Sequence, residues 1–350
     1  MVCSLIALAV LGGAGETFAD RGLATLARVR KEFRLPNGLY AEAFHKREPA
    51  FNWGVGVLIS AMAAAAAKDP AWRKELRAYV EATRVYWNPA GPVAGYDVLP
   101  MLKDVDRYYD DNAWMVLALV EASEVLAEPK FLTYAGEALT YVLSGKDGKL
   151  GGGIYWRESA KESKNTCSNG PSAAACLAVY EKTRDPKLLA EAKSLYAWTK
   201  RWLQDPADSL FWDAMKLDGT IEWTKWSYNT ALMLRSAATL ARLTGEEVYQ
   251  QDADAMAAAS EKRWLEDGRL KDEGKFAFLL LDSWNTVPGA ARQGRAREAM
   301  RWVWEHGRDA DGWFGSRFDR VPAKRSDPSL IDQAAAARAL LVTPEEKDGS

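Results

Sequence analysis

Residues 109–143 read YDDNAWMVLALVEASEVLAEPKFLTYAGEALTYVL. An apolar run with helical spacing occupies Asp110–Ala127, the doublet Glu128-Pro129 interrupts it, and a second helical run follows over Lys130–Leu143. Proline lacks the N–H that a helix interior needs but suits the first helical turn, so it stops one helix and starts another. The stretch therefore reads as two helices joined by a tight turn.

The arrangement recurs. Asp69-Pro70 separates a helix over Phe51–Ala67 from one over Pro70–Trp87, and Asp185-Pro186 separates Cys167–Thr183 from Lys187–Leu203. Gly245-Glu246 separates Tyr228–Thr244 from Glu247–Trp264. The second residues of these doublets, 70, 129, 186 and 246, lie 59, 57 and 60 positions apart, which marks an internal array of helix pairs. A helix over Glu16–Phe33 precedes the array, and Phe276–Trp284, Ala290–His306 and Ser329–Leu341 supply later helices.

The first helix of each pair is rich in small residues, as in Ala61–Ala67 and Ala173-Ala174-Ala175, whereas the second is amphipathic, as in Trp72-Arg73-Lys74-Glu75-Leu76. Small residues permit close approach, which places the first helices inside and the second outside. The predicted fold class is all-α, an (α/α)6 barrel of six helix pairs. A straight helical solenoid shares the repeat. No linker interrupts residues 16–345, which read as one domain.

Composition narrows the function. The 350 residues carry a net charge of −2, with neither a basic excess for nucleic acid nor a polybasic run for a membrane surface. With only two histidines, His45 and His306, a histidine-ligated metal or a histidine-based triad is not expected. Three cysteines give no disulfide framework. Tryptophan is abundant, at 15 residues. It serves a packed core or ring-faced subsites for sugars. Val2–Leu11 is an apolar run of signal-peptide length without a preceding basic region, so residues 1–15 read as a signal peptide or a buried first segment. No other stretch is long and apolar enough for membrane insertion.

The inner helices of such a barrel run in one direction, so their first residues meet at one end. Those residues are Asn52-Trp53, then Tyr109-Asp110-Asp111-Asn112, then Asn165 with Ser168-Asn169-Gly170, then Trp226-Ser227-Tyr228-Asn229. Capping accounts for a polar residue at each tip, but not for a tryptophan or tyrosine beside nearly every one. A cleft with apolar walls and a few polar groups is expected there. In it, Asp110 and Asp111 are paired carboxylates. The helix N-terminus favours ionisation of one, and the resulting charge holds the proton on the other, which separates an acid from a base.

Tyr109-Asp110-Asp111-Asn112-Ala113-Trp114 resembles the signature of glycoside hydrolase family 76, the bacterial endo-α-1,6-mannanases. Gly152-Gly153-Ile154-Tyr155-Trp156, Lys164-Asn165, Ser168-Asn169-Gly170-Pro171 and Tyr228-Asn229 extend the resemblance from about residue 20 to 290. It implies an (α/α)6 catalytic domain that cleaves α-1,6-mannan with retention, Asp110 being the nucleophile and Asp111 the general acid/base. Retention needs carboxyl groups about 5–5.5 Å apart, within reach of neighbouring residues. No metal or organic cofactor is implied. The expected partner is a mannan-like polysaccharide or oligosaccharide, the expected state a monomer, and the expected place secreted, periplasmic or cell-surface.

Expected substrate contacts are Trp53, Tyr109, Asn112, Trp114, Trp156, Asn165, Asn169, Trp226, Tyr228 and Asn229, with Lys164 a weaker candidate; Asp104 and Asp106 read as solvated loop charges. Thr230-Ala231 stands where the family has Gln-Gly, Tyr155 where it has Trp, and Lys275-Phe276-Ala277-Phe278 only loosely follows its late aromatic block. A glycan-binding protein without turnover and a transglycosidase are the alternatives on this barrel. A magnesium-binding Asp-Asp-x-x-Asp reading lacks its third acid, because that position is Trp114.

Overall fold

Acid–proline doublets do separate helices. The computed structural model describes residues 16–101, 104–287, 289–323 and 327–345. The proposed leader lies outside these residues. Among them, twelve α-helices form: α1 (Phe18–Phe33), α2 (Asn52–Lys68), α3 (Arg73–Ala82), α4 (Tyr109–Leu126), α5 (Pro129–Ser144) and α6 (Thr166–Thr183). They continue as α7 (Pro186–Leu203), α8 (Ser227–Thr244), α9 (Glu247–Trp264), α10 (Gly274–Trp284), α11 (Ala290–His306) and α12 (Leu330–Val342). Three of the four tight turns hold one left-handed residue, Ala127 at φ 56°, Arg184 at 59° and Gly245 at 70°, whereas Asp69 ends α2 in extended conformation at φ −132°. Pro129 and Pro186 then open the next helix, where a missing N–H costs nothing.

Helices α2, α4, α6, α8, α10 and α12 pack side by side in that order, and α12 packs back on α2. The ring is closed, so the array is a barrel and not a solenoid. Helices α3, α5, α7, α9 and α11 lie outside it, each against the inner helix that precedes it. The sixth pair differs from a simple sequential count, because α12 takes α1 from the other end of the chain as its outer partner. Gly22 permits that contact, since a Cβ there would sit 2.6 Å from Leu341 Cγ.

The division between inner and outer follows side-chain size. Inner α6 buries Ala173, Ala174, Ala175, Cys176 and Leu177 in succession, which only a helix surrounded on all sides can do. Outer α7 buries one stripe, including Ala192, Leu195, Trp198 and Thr199. The stretch read as one helix from Pro70 to Trp87 is broken: a 3-10 turn at Pro70–Trp72 precedes α3, another at Thr83–Tyr86 follows it, and Trp87 begins a strand.

Three small antiparallel ladders ride on the loops: β1 (Trp87–Asn88) with β2 (Gly95–Tyr96), then β3 (Ser163–Asn165), β4 (Ala214–Lys216) and β5 (Ile221–Glu222) together, then β6 (Leu265–Glu266) with β7 (Arg269–Leu270). At two or three residues each, they are too short to show alternation in sequence. Deep in the ring, Arg338 of α12 donates to Asp282 of α10, Glu121 of α4 and the Ser60 carbonyl of α2. One guanidinium thus ties four inner helices. Among the described residues no helix is long and apolar enough to cross a membrane.

Candidate active site

A cleft of about 590 Å³, a usual size for a ligand pocket, opens where the inner helices begin. Every inner helix supplies part of its lining from its first turns: Trp53 from α2, the Asp110–Asp111 pair and Trp114 from α4, Cys167 from α6, Tyr228 from α8, Phe276 from α10 and Ile331 from α12. Six helix N-termini therefore face one space, and their partial positive charges favour anions within it.

Aromatic rings form one wall. Phe276 stacks on Tyr228 with ring centroids 4.5 Å apart and on Trp53 at 5.6 Å, and Trp226 leans on the same ring at 5.4 Å. Trp156 and Tyr108 meet edge to face at 5.1 Å on the side that carries the carboxylates. Trp156 is 42% exposed, a large ring left facing the opening.

The loop that holds Trp156 is pinned from below. Gly151, Gly152 and Gly153 all have positive φ, and a Cβ on Gly153 would lie 2.8 Å from the Trp198 ring. Only glycine passes there. Lys164, fully buried, donates to Asp147 Oδ1 at 2.7 Å and to the Gly152 carbonyl at 2.6 Å. Its role is to hold this loop, which removes it from the sugar contacts.

The carboxylates differ. Asp110 Oδ2 accepts from Trp156 Nε1 at 3.0 Å. Burial pushes its carboxyl up to about 6, against the lowering influence of the Asp111 backbone N–H, the Cys167 thiol and the Trp156 indole. Asp111 lies well above the usual range because it is desolvated and faces the charges of Asp110 and Asp106. The two titrate as a pair, with Asp111 the later to lose its proton. Asp213, also in the cleft, is raised by burial and accepts from Asn229 Nδ2 at 3.2 Å.

Of the sequence candidates, Trp53, Asp110, Asp111, Trp114, Trp156, Asn165, Trp226 and Tyr228 line the cleft. Tyr109, Asn112, Asn169 and Asn229 do not. Tyr109 turns away from it and stacks on Tyr141 at 5.0 Å. Asn112 receives the Tyr96 N–H at 2.8 Å and returns its amide to the Tyr96 carbonyl at 2.9 Å. Asn169 does the same to Ile154, at 2.7 and 2.9 Å, and Gln333 to Phe314, at 3.0 and 2.9 Å. These amides are two-point clamps between an inner helix and the loop before it. A buried amide with both ends satisfied has little left for a sugar. Asn229 gives its amide N–H to Asp213, while its Oδ1 is buried without a partner.

The cleft also contains residues that the sequence reading passed over. Asp106 lines it and pairs with Arg157 at 2.7 Å, so it is no solvated loop charge. Phe51, Lys275, Phe276 and Ile331 stand at the tips of α2, α10 and α12, where the helix-tip rule would have found them had the later repeats been less degenerate. Asp213 follows Phe211-Trp212 in the loop before α8, and only that aromatic neighbourhood signals it.

The family model for glycosyl hydrolase family 76 matches residues 38–277. Among solved structures, a GH76 α-mannanase of Bacteroides thetaiotaomicron is 30% identical, with a TM-score of 0.88 over 94% of this chain and 95% of that one. An α-1,6-mannanase of Salegentibacter sp. HEL1_6 shares the fold at 21% identity and a TM-score of 0.81, over 93% of this chain and 98% of that one. An inactive variant of that protein, with two consecutive aspartates changed to asparagine, is known in complex with α-1,6-mannotriose. A mannan endo-1,6-α-mannosidase of Candida glabrata is 27% identical over 183 residues, 47% of this chain and 40% of that protein. The chain thus spans about two fifths of the length of that curated relative.

Proposed function

The chain belongs to glycosyl hydrolase family 76, and from that premise we propose that it cleaves α-1,6-linked mannan with retention of anomeric configuration, using Asp110 and Asp111. The observation that carries the reading is geometric: two neighbouring carboxyls at one helix tip line an aromatic-walled cleft, and one of them, Asp110, is held by the Trp156 indole N–H. Burial raises both carboxyls, and the charge of Asp110 favours a proton on Asp111, the pairing of carboxylate and acid that double displacement requires.

In the first step the Asp110 carboxylate attacks the anomeric carbon. The glycosidic C–O bond breaks, and the Asp111 proton goes to the departing oxygen. Water then attacks the glycosyl ester, Asp111 takes its proton, and the Asp110 carboxylate is released. Trp156 holds Asp110 through its indole N–H. The Trp53–Phe276–Tyr228 rings offer flat faces for sugar C–H groups. Mannan substrates and mannotriose binding in the related proteins support the choice of sugar.

Incubation with α-1,6-mannan, with product sizing and NMR of the first anomer released, tests the reading. An α-anomer as initial product supports retention, and a β-anomer would refute it. Binding of mannan by the wild type without turnover would make the protein a lectin-like binder.

A further inference from the structure

Trp223 is 61% exposed, an unusual position for a side chain of that size. Its ring is nonetheless held in place. Trp212 meets it edge to face with centroids 4.5 Å apart and planes at 85°. The backbone beneath is fixed on both sides: Asp213 N–H donates to the Glu222 carbonyl at 3.0 Å, and Thr224 Oγ1 donates to Glu222 Oε1 at 2.7 Å. Lys225, two residues on, donates to Asp205 at 2.6 Å and Asp208 at 2.7 Å. The loop between β5 and α8 is therefore a rigid mount for an exposed indole.

A second depression, of about 580 Å³, lies over this mount. Asp208, Trp223, Thr224, Lys225, Trp226 and Arg263 line it. Trp226 also lines the catalytic cleft, so the two spaces share a wall. Two residues, Thr224 and Lys225, lie between Trp223 and Trp226, a span of at most roughly 11 Å.

We infer that Trp223, with Trp212 behind it, is a remote stacking platform for a sugar ring of the glycan chain whose scissile bond lies at Asp110. This rests on the glycosidase reading above and extends it to the length of substrate that the protein engages. The chemistry fits a neutral polyhydroxylated chain. An apolar face meets ring C–H groups, while Asp208, Thr224 and Arg263 offer acceptors and donors to hydroxyls. Lys225 is committed to two carboxylates, which leaves little net attraction for an anionic polymer. A pre-positioned ring also avoids most of the ordering cost of binding.

The test compares wild type, Trp223→Ala and Trp202→Ala on α-1,6-linked mannooligosaccharides of increasing length. Trp202 is an exposed indole that lines neither depression. The expected result is a KM raised roughly three- to tenfold for Trp223→Ala on long chains, with kcat and trimer turnover unchanged and Trp202→Ala like wild type. Calorimetric binding of long chains to Asp110→Asn, with and without Trp223→Ala, should show the same loss. If wild type cuts mannan and Trp223→Ala keeps the same dependence on length, the platform is refuted and the glycosidase reading stands. If wild type neither cuts nor binds α-1,6-mannan of any length, the glycosidase reading falls and takes the platform with it.

Discussion

The indole N–H of Trp156 donates to Oδ2 of Asp110 across 3.0 Å, joining the loop after α5 to the first turn of α4. A residue 46 positions away thus holds the carboxylate and, together with the Asp111 N–H and the Cys167 thiol, opposes the rise that burial imposes on it. Trp156→Phe keeps a ring against Tyr108 but removes the donor. A hydrogen bond to a charged group contributes about 1.5–3 kcal/mol when buried, and less beside an open cleft. The Asp110 carboxyl should rise by about 0.5–1 unit. A pH profile of kcat/KM would show the acid limb displaced upward, with activity at pH 5 falling more than at pH 7.

The wild-type profile should be bell-shaped. On the proposed mechanism turnover needs Asp110 ionised, which places the acid limb near its carboxyl value of about 6. It also needs Asp111 protonated, and the alkaline limb reports the later loss of that proton. Asp110→Asn and Asp111→Asn should each lower kcat by about a thousandfold or more. An acid limb below pH 4.5 would contradict the assignment.

Both carboxyls are raised in the folded protein, so the folded state holds their protons more tightly than the unfolded chain does. The stability present below the unfolded value of 3.8 is therefore lost as pH rises towards the folded value of about 6. Asp110→Asn removes that loss. At pH 7.5 it should be more stable than wild type by about 1 kcal/mol, after allowance for solvent at a half-buried group. At pH 3.5 the difference should vanish. Thermal melts at the two pH values measure it.

Asn169 clamps Ile154, two residues before Trp156, with both ends of its amide. Asn169→Ala leaves a buried N–H and a buried carbonyl unpaired, at a cost of about 1–3 kcal/mol each. The expected outcome is a lower melting temperature together with a reduced kcat, because Trp156 loses its support. Asn169→Asp would set a buried carboxyl oxygen against the Ile154 and Asn165 carbonyls and should cost at least as much. A change in KM alone, with stability intact, would return Asn169 to the sugar contacts.

Arg338→Met would strand Asp282 and Glu121 without their shared guanidinium. Breaking a buried pair from one side costs about 3–5 kcal/mol. Urea unfolding should show that loss, while the folded fraction retains its kcat, since none of Arg338, Asp282 and Glu121 lines the cleft.

The repeat of tight turns determined the array of helix pairs from sequence alone, and only the packing of α12 on α2 made it a closed barrel. The reason for the array is local: proline after an acid favours the first turn of a new helix, and alternation between small-residue and amphipathic helices says which layer each occupies. The doublet Asp110-Asp111 and the rings at the tips of α2, α4 and α8 were legible for the same reason, because neighbours on a helix stay neighbours in space. Sequence could not separate Asn112 and Asn169, which clamp loops, from Asn165, which lines the cleft. An amide at a helix tip looks the same whether it faces a loop or a ligand, and only the packing of the preceding loop decides. Asp213, the platform at Trp223 and the pairing of α1 with α12 belong likewise to tertiary structure. The α1–α12 pairing depends on closure of the ring, and the other two depend on how the loop before α8 folds back on itself, which no helical or strand pattern encodes.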